Sequence, residues 1–341
     1  MINIVLPAAL LVCVYIGWNI GSNDAANAIG PAVGGRVISF RRAACLVAIF
    51  AFLGAALEGW KVMETVGEDI VVSSSPSSLS NPLSIFPWAT IAAFASAGLW
   101  VSIAVNSKLP VSTSQSVVGA VIGLGILISY VYPVEGGARI QIGRVVLIAL
   151  SWILVPLASA FFALVLYRAF RPLLERARDI ILINRILAAL TVCTGAYLAY
   201  ALGANNVGVA TGLVYAVHVA KDGFLSAQTL GLLGGIALAI GVLTYSKKMM
   251  YMVGTEITSL DPISAFVCQF SAALVVHLFT QFGIPVSTTQ AMIGAIVGAG
   301  IVKGLSTIKR KKLYEIFAGW ILTPIISCLI AFTFGSLLLR A

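Results

Sequence analysis

The chain has 341 residues, of which 60% are apolar or aromatic and only 10% are charged, and its mean hydropathy is +1.03. These values exclude a soluble globular protein and indicate an integral membrane protein. The net charge of +9 does not indicate nucleic-acid binding, because Lys and Arg form short clusters between apolar runs and no basic face interleaved with aromatic residues. The five cysteines stand singly, without the spacing of a metal site, and we interpret them as packing residues.

Ten apolar runs follow one another along the chain, and a helix of roughly 20 residues crosses about 30 Å of hydrocarbon. They lie near 4–20, 43–60, 87–105, 114–132, 143–167, 186–202, 226–246, 262–283, 289–305 and 313–339. The first run has no basic segment before it and no small-residue cleavage site after it, which favours a retained helix over a signal peptide. The sequence therefore predicts an all-α polytopic membrane protein.

Basic residues indicate which ends of these runs face the cytoplasm, since Lys and Arg concentrate in cytoplasmic loops. The clusters lie at 36–42, 168–185, 247–248 and 309–312. The connection 61–86 carries one Lys and no Arg, and Trp60 and Trp88 flank it as interfacial anchors, so we expect it outside. The amino terminus is then also outside, in a multi-pass protein of the plasma or inner cell membrane.

A hydroxyl-rich hexapeptide occurs twice, each time at the start of an apolar run. PVSTSQSVVGAVIG (Pro110–Gly123) and PVSTTQAMIGAIVG (Pro285–Gly298) are identical at eight of fourteen positions. Ser and Gln stand three residues apart in each copy, as in a capping box, so one interpretation is simply that a helix begins there. Duplication favours a second interpretation, because a helix N-terminus binds oxyanions through free N–H groups and a partial positive charge. Two such ends facing each other would surround a tetrahedral anion.

A second pair of strings carries the most conspicuous polar residues inside apolar segments. GSNDAANAIG (Gly21–Gly30) contains Asn23, Asp24 and Asn27, and GANNVGVATG (Gly203–Gly212) contains Asn205 and Asn206. A carboxylate within a membrane segment is costly and marks a functional candidate, and oxygen ligands of this kind suit a sodium ion or a proton-linked site. The alternative is an Asx turn that interrupts a helix near the interface.

The charge pattern sends the hairpins 87–132 and 262–305 into the membrane from opposite faces. If they cross fully, the hexapeptides lie about 30 Å apart; if they are re-entrant, both tips meet near the midplane. We expect the second arrangement, with broken helices beside it. The sequence thus predicts two inverted repeats, 1–167 and 186–341, joined by a cytoplasmic basic connection at 168–185, which is typical of a secondary transporter.

These four strings resemble the signatures of the inorganic phosphate transporter (PiT) family, which has a GANDxxNAxG-like and a PVSTTxxxxG-like string in each half. The order of segments agrees over essentially the whole chain. The resemblance implies import of orthophosphate coupled to sodium, or to protons with metal phosphate, through inverted repeats and commonly as a homodimer. It places the ion role on Asn23, Asp24, Asn205 and Asn206, and the phosphate role on Ser112, Thr113, Ser114, Gln115, Ser287, Thr288, Thr289 and Gln290.

One residue departs from the family pattern, because Asn206 stands where many members have Asp. The site therefore holds one negative charge fewer, which affects the number of coupled cations. We expect a sodium-coupled phosphate importer that is not an enzyme and uses no cofactor beyond the coupling ion. Alternatives are a proton-coupled phosphate transporter, a sulfate transporter and an anion channel. A membrane-embedded hydrolase is not indicated, since neither a nucleophile with a base nor paired carboxylates occur.

Overall fold

The computed structural model describes residues 2–73, 82–107, 111–131, 138–175, 179–218, 225–255, 261–304 and 310–340. In these ranges the chain is almost entirely α-helical. The helices are α1 (Ile2–Asn23), α2 (Ala25–Gly34), α3 (Phe40–Glu58), α4 (Trp60–Glu64), α5 (Pro82–Ile85), α6 (Pro87–Asn106), α7 (Thr113–Val131), α8 (Ile142–Glu175), α9 (Ile180–Val217), α10 (Ala227–Tyr245), α11 (Lys247–Thr255), α12 (Pro262–Gln281), α13 (Thr288–Lys303) and α14 (Arg310–Arg340).

Each of the ten predicted apolar runs coincides with a helix. Within the described ranges, nine helical segments are long and apolar enough to cross a membrane, the first being Ile4–Gly34, which joins α1 and α2. The tenth run forms α13, whose 16 residues extend about 24 Å at 1.5 Å per residue. The prediction of an all-α polytopic membrane protein is confirmed.

A small antiparallel sheet, which the sequence did not predict, joins the connection after α4 to the connection between α7 and α8. A π-helical turn, Thr65–Asp69, leads into β1 (Val71–Ser73), which pairs with β2 (Ala138–Ile140). Arg144 forms an ion pair with Asp69 next to this sheet. Strands of three residues are too short for alternating polarity to reveal them.

The two asparagine strings differ in backbone structure. The first is irregular at Asp24, which stands between α1 and α2: its N–H still donates to the Ile20 carbonyl at 2.8 Å, but its carbonyl accepts from the N–H three residues on, that of Asn27, at 3.0 Å. The second is not interrupted, since α9 continues through Asn205 and Asn206 to Val217. The expected broken helix is therefore limited to a one-residue irregularity at Asp24, whose backbone angles stay helical, and the second string has no irregularity. A Cβ on Gly203 would overlap the Ala51 carbonyl oxygen, so direct backbone packing against α3 supports an intact α9.

The basic segment 168–185 is mostly helical and not an extended connection. Its first part closes α8, which runs to Glu175, and its last part opens α9. Asp179 caps α9 by accepting from the Ile181 and Leu182 N–H groups at 3.0 and 2.9 Å. Residues 176–178 lie outside the described ranges.

The two hexapeptide helices pack in the same way against two long helices. A Cβ on Gly119 or Gly123 of α7 would overlap the backbone of Pro324 or Cys328 in α14. In the corresponding contact, a Cβ on Gly294 or Gly298 of α13 would overlap the backbone of Pro156 or Ala160 in α8. Small residues four apart let two helices approach this closely. Both hexapeptides are thus held by the same kind of rigid helix pair.

Candidate functional site

The two hexapeptides are in direct contact. Ser114 Oγ in the first copy donates a hydrogen bond of 2.9 Å to the carbonyl oxygen of Val286 in the second. This contact rules out a separation of about 30 Å between the copies and is the arrangement that re-entrant hairpins require. Pro110, at the start of the first copy, lies outside the described residues.

Each hexapeptide starts its helix with a serine cap. Ser112 Oγ accepts from the Gln115 N–H, and Ser287 Oγ accepts from the Gln290 N–H, both at 3.2 Å. The reciprocal half of a capping box is missing, since Oε1 of Gln115 and of Gln290 is buried and has no hydrogen-bond partner in the part of the chain that the structure describes. Each serine therefore satisfies one N–H of its helix, while the glutamine amide is not used as a cap.

Asp24 lies at the centre of a buried polar cluster. Asn23 Nδ2 donates to Asp24 Oδ1 at 2.8 Å, and Asn206 Nδ2 donates to Asp24 Oδ2 at 3.0 Å. Thr289 Oγ1 donates to Asp24 Oδ1 at 3.4 Å and accepts from Asn27 Nδ2 at 2.8 Å. Each of these five side chains is at most 3% exposed. Residues from both asparagine strings and from the second hexapeptide thus surround one carboxylate.

The first hexapeptide also reaches this carboxylate. The Thr113 hydroxyl lies beside Asp24 and has no hydrogen-bond partner among the residues that the structure describes. The Asn23 amide, besides contacting Asp24, donates to the Val111 carbonyl at 2.9 Å. The start of α7 is therefore fixed beside Asp24.

Asn205 does not contact Asp24 and instead fastens the second hairpin. Its Nδ2 donates to Thr280 Oγ1 at 2.9 Å and to the Ile284 carbonyl at 3.0 Å, and its Oδ1 accepts from the Val286 N–H at 3.0 Å. All of its amide atoms are thereby bonded to the hairpin. Of the five residues predicted as sodium ligands, Asn205 contacts the second hairpin and Asn27 contacts Thr289, while Asn23 and Asn206 contact the Asp24 carboxylate directly.

Several polar oxygens in this region are buried without a hydrogen-bond partner. Among the described residues they include Oγ1 of Thr288, Oδ1 of Asn206 and Oε1 of Gln115 and Gln290. An unsatisfied buried polar group costs about 1–3 kcal/mol, and such a group usually indicates water, an ion or a ligand. Their concentration around the start of α7 and α13 is what a ligand site would produce.

The two glutamines also line one cavity of about 610 Å³ between α8 and α14. Its other walls are apolar and include Pro156 and Pro324, with Trp152 and Trp320 one helical turn before them. These residues belong to a third duplication, WILVP at 152–156 and WILTP at 320–324. This duplication was not predicted above, although comparison of the two halves of the sequence reveals it.

Paired helix starts that meet beside a buried carboxylate, in a protein with several candidate membrane spans, are typical of a membrane transporter. The chain belongs to the phosphate transporter family, whose model matches residues 20–188 and 175–331. It is therefore a multi-pass membrane transporter and not an enzyme.

Individual proteins that are similar to this chain have names that refer to phosphate transport. A protein of Pyrococcus furiosus that is provisionally named a phosphate permease is 30% identical, with 92% of each chain covered. A protein of Methanocaldococcus jannaschii with the same provisional name is 29% identical, with 97% of each chain covered. A solved structure titled "The sodium-dependent phosphate transporter" matches with a TM-score of 0.86 and 24% identity over 98% of each chain. At this identity the match shows the fold.

Proposed function

We propose that this protein imports inorganic phosphate together with sodium ions, and that both bind where the two hexapeptides meet Asp24. The observation that carries the proposal is the convergence of both duplicated strings on one buried carboxylate, with Asn23, Asn206 and Thr289 as its hydrogen-bond donors. The sodium-dependent transporter that shares the fold supports the choice of ion.

The anion is bound between the N-termini of α7 and α13. Free N–H groups and the partial positive charge of each helix end attract an oxyanion without a lysine. The hexapeptide side chains supply the remaining polar groups: Ser112, Thr113, Ser114, Gln115, Ser287, Thr288, Thr289 and Gln290. Because hydrogen phosphate has a proton to donate and sulfate at neutral pH has none, the unpartnered amide oxygens of Gln115 and Gln290 favour phosphate.

The cation is bound at Asp24 by oxygen ligands from the asparagine strings. Asn206 Oδ1 is buried and unpartnered among the described residues, and the Nδ2 of the same amide already contacts Asp24. Asn23 and Asn27 complete the group of side chains around the carboxylate, and Asn205 acts by holding the second hairpin. Hard oxygen ligands and a single carboxylate suit a monovalent cation.

The orientation follows from the charge pattern. The amino terminus lies outside the plasma or inner cell membrane, and residues 1–167 and 186–341 form inverted repeats joined by the cytoplasmic segment 168–185. The hairpins 87–132 and 262–305 are re-entrant, which is supported by the contact of their tips. A homodimer is the assembly that the family resemblance implies.

Binding of the two substrates to purified protein tests the shared site. We expect sodium to tighten phosphate binding at least tenfold, and phosphate to tighten sodium binding by the same factor, since linkage is reciprocal. Calorimetry in detergent with sodium or choline measures the first effect, and sulfate at equal concentration should compete at least tenfold more weakly than phosphate. Phosphate affinity that is equal in sodium and in choline would contradict sodium coupling, and equal competition by sulfate would contradict the role of the amide oxygens.

A further inference from the structure

The two halves of the chain make a corresponding contact at the end of each hairpin's first helix. Asn106 ends α6, and its Oδ1 accepts a hydrogen bond of 2.9 Å from Tyr245 Oη, the last residue of α10. Gln281 ends α12, and its Nε2 donates 2.7 Å to Glu58 Oε2, the last residue of α3. In both cases a 20-residue hairpin helix is tied to the end of a 19-residue helix from the other half.

The next layer of contacts corresponds as well. Tyr15 Oη and Ser102 Oγ are 2.6 Å apart in the first hairpin contact, and Tyr197 Oη and His277 Nδ1 are 2.9 Å apart in the second. The tyrosines stand eight residues before Asn23 and Asn205, so they occupy equivalent places in their halves. The two halves therefore place these contacts at equivalent positions but form them with different side chains.

The contact at the end of α12 is the charged one. Lys61 Nζ donates to Glu58 Oε2 at 2.8 Å and to Gln281 Oε1 at 2.6 Å. Glu58 Oε1 accepts from Tyr200 Oη at 2.6 Å and lies 3.3 Å from His277 Nε2. At the end of α6, the hydrogen-bond partners among the described residues are neutral side chains, those of Tyr15, Asn19, Ser102, Asn106 and Tyr245. We call the group of Glu58, Lys61, His277 and Gln281 the ionic latch.

The ionic latch lies directly against the tip of the second hairpin. Gly283, two residues after Gln281, has a φ of +66°, and a Cβ there would stand 2.7 Å from the Lys61 carbonyl oxygen. Ile284 follows, and its carbonyl accepts from Asn205. The side chain and the carbonyl of Lys61 thus lie against the segment that leads from α12 to the start of α13.

We propose that the ionic latch is a gate that must open in each transport cycle, on the side that the charge pattern assigns to the outside. The proposal rests on the proposed function, since a gate has meaning only in a transporter that alternates its access. Side chains of Lys61 and Glu58 are 22% and 18% exposed, and partly solvated ion pairs are weak enough to break repeatedly. In the part of the chain that the structure describes, the corresponding contact at the end of α6 contains no ion pair, so the two ends differ in the charges that a movement of the hairpins would separate.

Cross-linking the latch tests this gate. In a variant whose five native cysteines are replaced, Glu58→Cys and Gln281→Cys are combined and treated with a short bifunctional thiol reagent. We expect sodium-driven phosphate uptake in the unlinked protein, a loss of at least tenfold after cross-linking and recovery after release of a reducible cross-linker. The two single-cysteine variants, treated in the same way, serve as controls and should keep their uptake. Uptake that persists in fully cross-linked protein would overturn the gate without affecting the proposed function.

A second measurement does not depend on uptake by the double variant. The native Ile284 is 8% exposed. We therefore expect the thiol of the Ile284→Cys variant to react slowly with a membrane-impermeant maleimide applied from outside. Removing the latch charge with Lys61→Met should raise the labelling rate at least threefold, while Lys61→Arg keeps the charge and should leave it nearly unchanged. Equal labelling rates in the Lys61→Met and native backgrounds would also overturn the gate.

Discussion

At the residue scale, the hydrogen-bond partners of the Asp24 carboxylate are what makes this position a candidate cation site. Its carboxylate is 2% exposed and accepts hydrogen bonds from Asn23, Asn206 and Thr289, which come from two different halves of the chain. A buried charge is tolerated only when it is paired or hydrogen-bonded, and here the donors are neutral. A cation beside Asp24 would supply the missing countercharge.

Replacing Asp24 by Asn should separate binding from folding. We expect Asp24→Asn to abolish sodium stimulation of phosphate uptake, because it removes the charge while keeping a side chain of nearly the same shape. The protein should still elute as a folded species, with an apparent melting temperature close to that of the native chain. Uptake in proteoliposomes with and without sodium, alongside size-exclusion chromatography, measures both effects.

Asn206 provides a matched control for this prediction. Its Nδ2 lies 3.0 Å from Asp24 Oδ2. The double variant Asp24→Asn, Asn206→Asp therefore exchanges the carboxylate and the amide of one hydrogen-bonded pair. We expect this double variant to recover part of the sodium stimulation. Normal sodium dependence in Asp24→Asn alone would instead give Asp24 a structural role.

Sequence reasoning selected polar residues that the structure brings together around Asp24, but it did not predict their individual contacts. Asp24 and the hexapeptides stand out because charged and hydroxyl-rich strings are rare inside apolar runs. That Asn205 bonds Ile284 and Val286 could not be predicted, since it depends on how α9 packs against the second hairpin. The sequence pattern predicted that the Gln115 and Gln290 side chains would complete a capping box. In the structure, the amide oxygen of each has no hydrogen-bond partner among the described residues.

At the element scale, hydropathy located the helices but not where they end. The run predicted at 186–202 became α9, Ile180–Val217, which includes the whole second asparagine string. Polar residues ended the predicted run, whereas in the folded protein tertiary contacts satisfy them and the helix continues. The sheet formed by Val71–Ser73 and Ala138–Ile140 escaped prediction because its strands are short and distant in sequence.

Close helix packing gives a prediction about stability. A Cβ on Gly294 would overlap backbone atoms of Pro156, and backbone atoms cannot move aside as a flexible side chain can. We therefore expect Gly294→Ala to lower the free energy of unfolding by about 1–3 kcal/mol. Thermal unfolding in detergent measures the change as a lower apparent melting temperature.

Gly143→Ala is the control for this substitution. A Cβ at Gly143, near the start of α8, meets no atom within 4 Å, so the variant should match or slightly exceed the native melting temperature. Equal melting temperatures for the two variants would show that the contact between α13 and α8 is looser than described.

At the scale of the whole molecule, the proposed import of phosphate would require several cations. Moving a divalent phosphate into a negative interior costs about 4.6 kcal/mol at 100 mV, at roughly 2.3 kcal/mol per charge. Two monovalent cations cancel this cost, and a third would drive accumulation. Asp24 supplies a single negative charge and Asn206 supplies none, so phosphate itself must balance part of the cation charge. Mutual dependence of the two substrates follows from this charge balance.

The most direct test is phosphate uptake by proteoliposomes across an imposed sodium gradient. The account predicts that uptake follows the sodium gradient, stops when choline replaces sodium and increases with a negative interior if three sodium ions enter with each divalent phosphate. A pH gradient without sodium should give no accumulation above passive leakage. Uptake that ignores sodium and follows the pH gradient would contradict the sodium assignment.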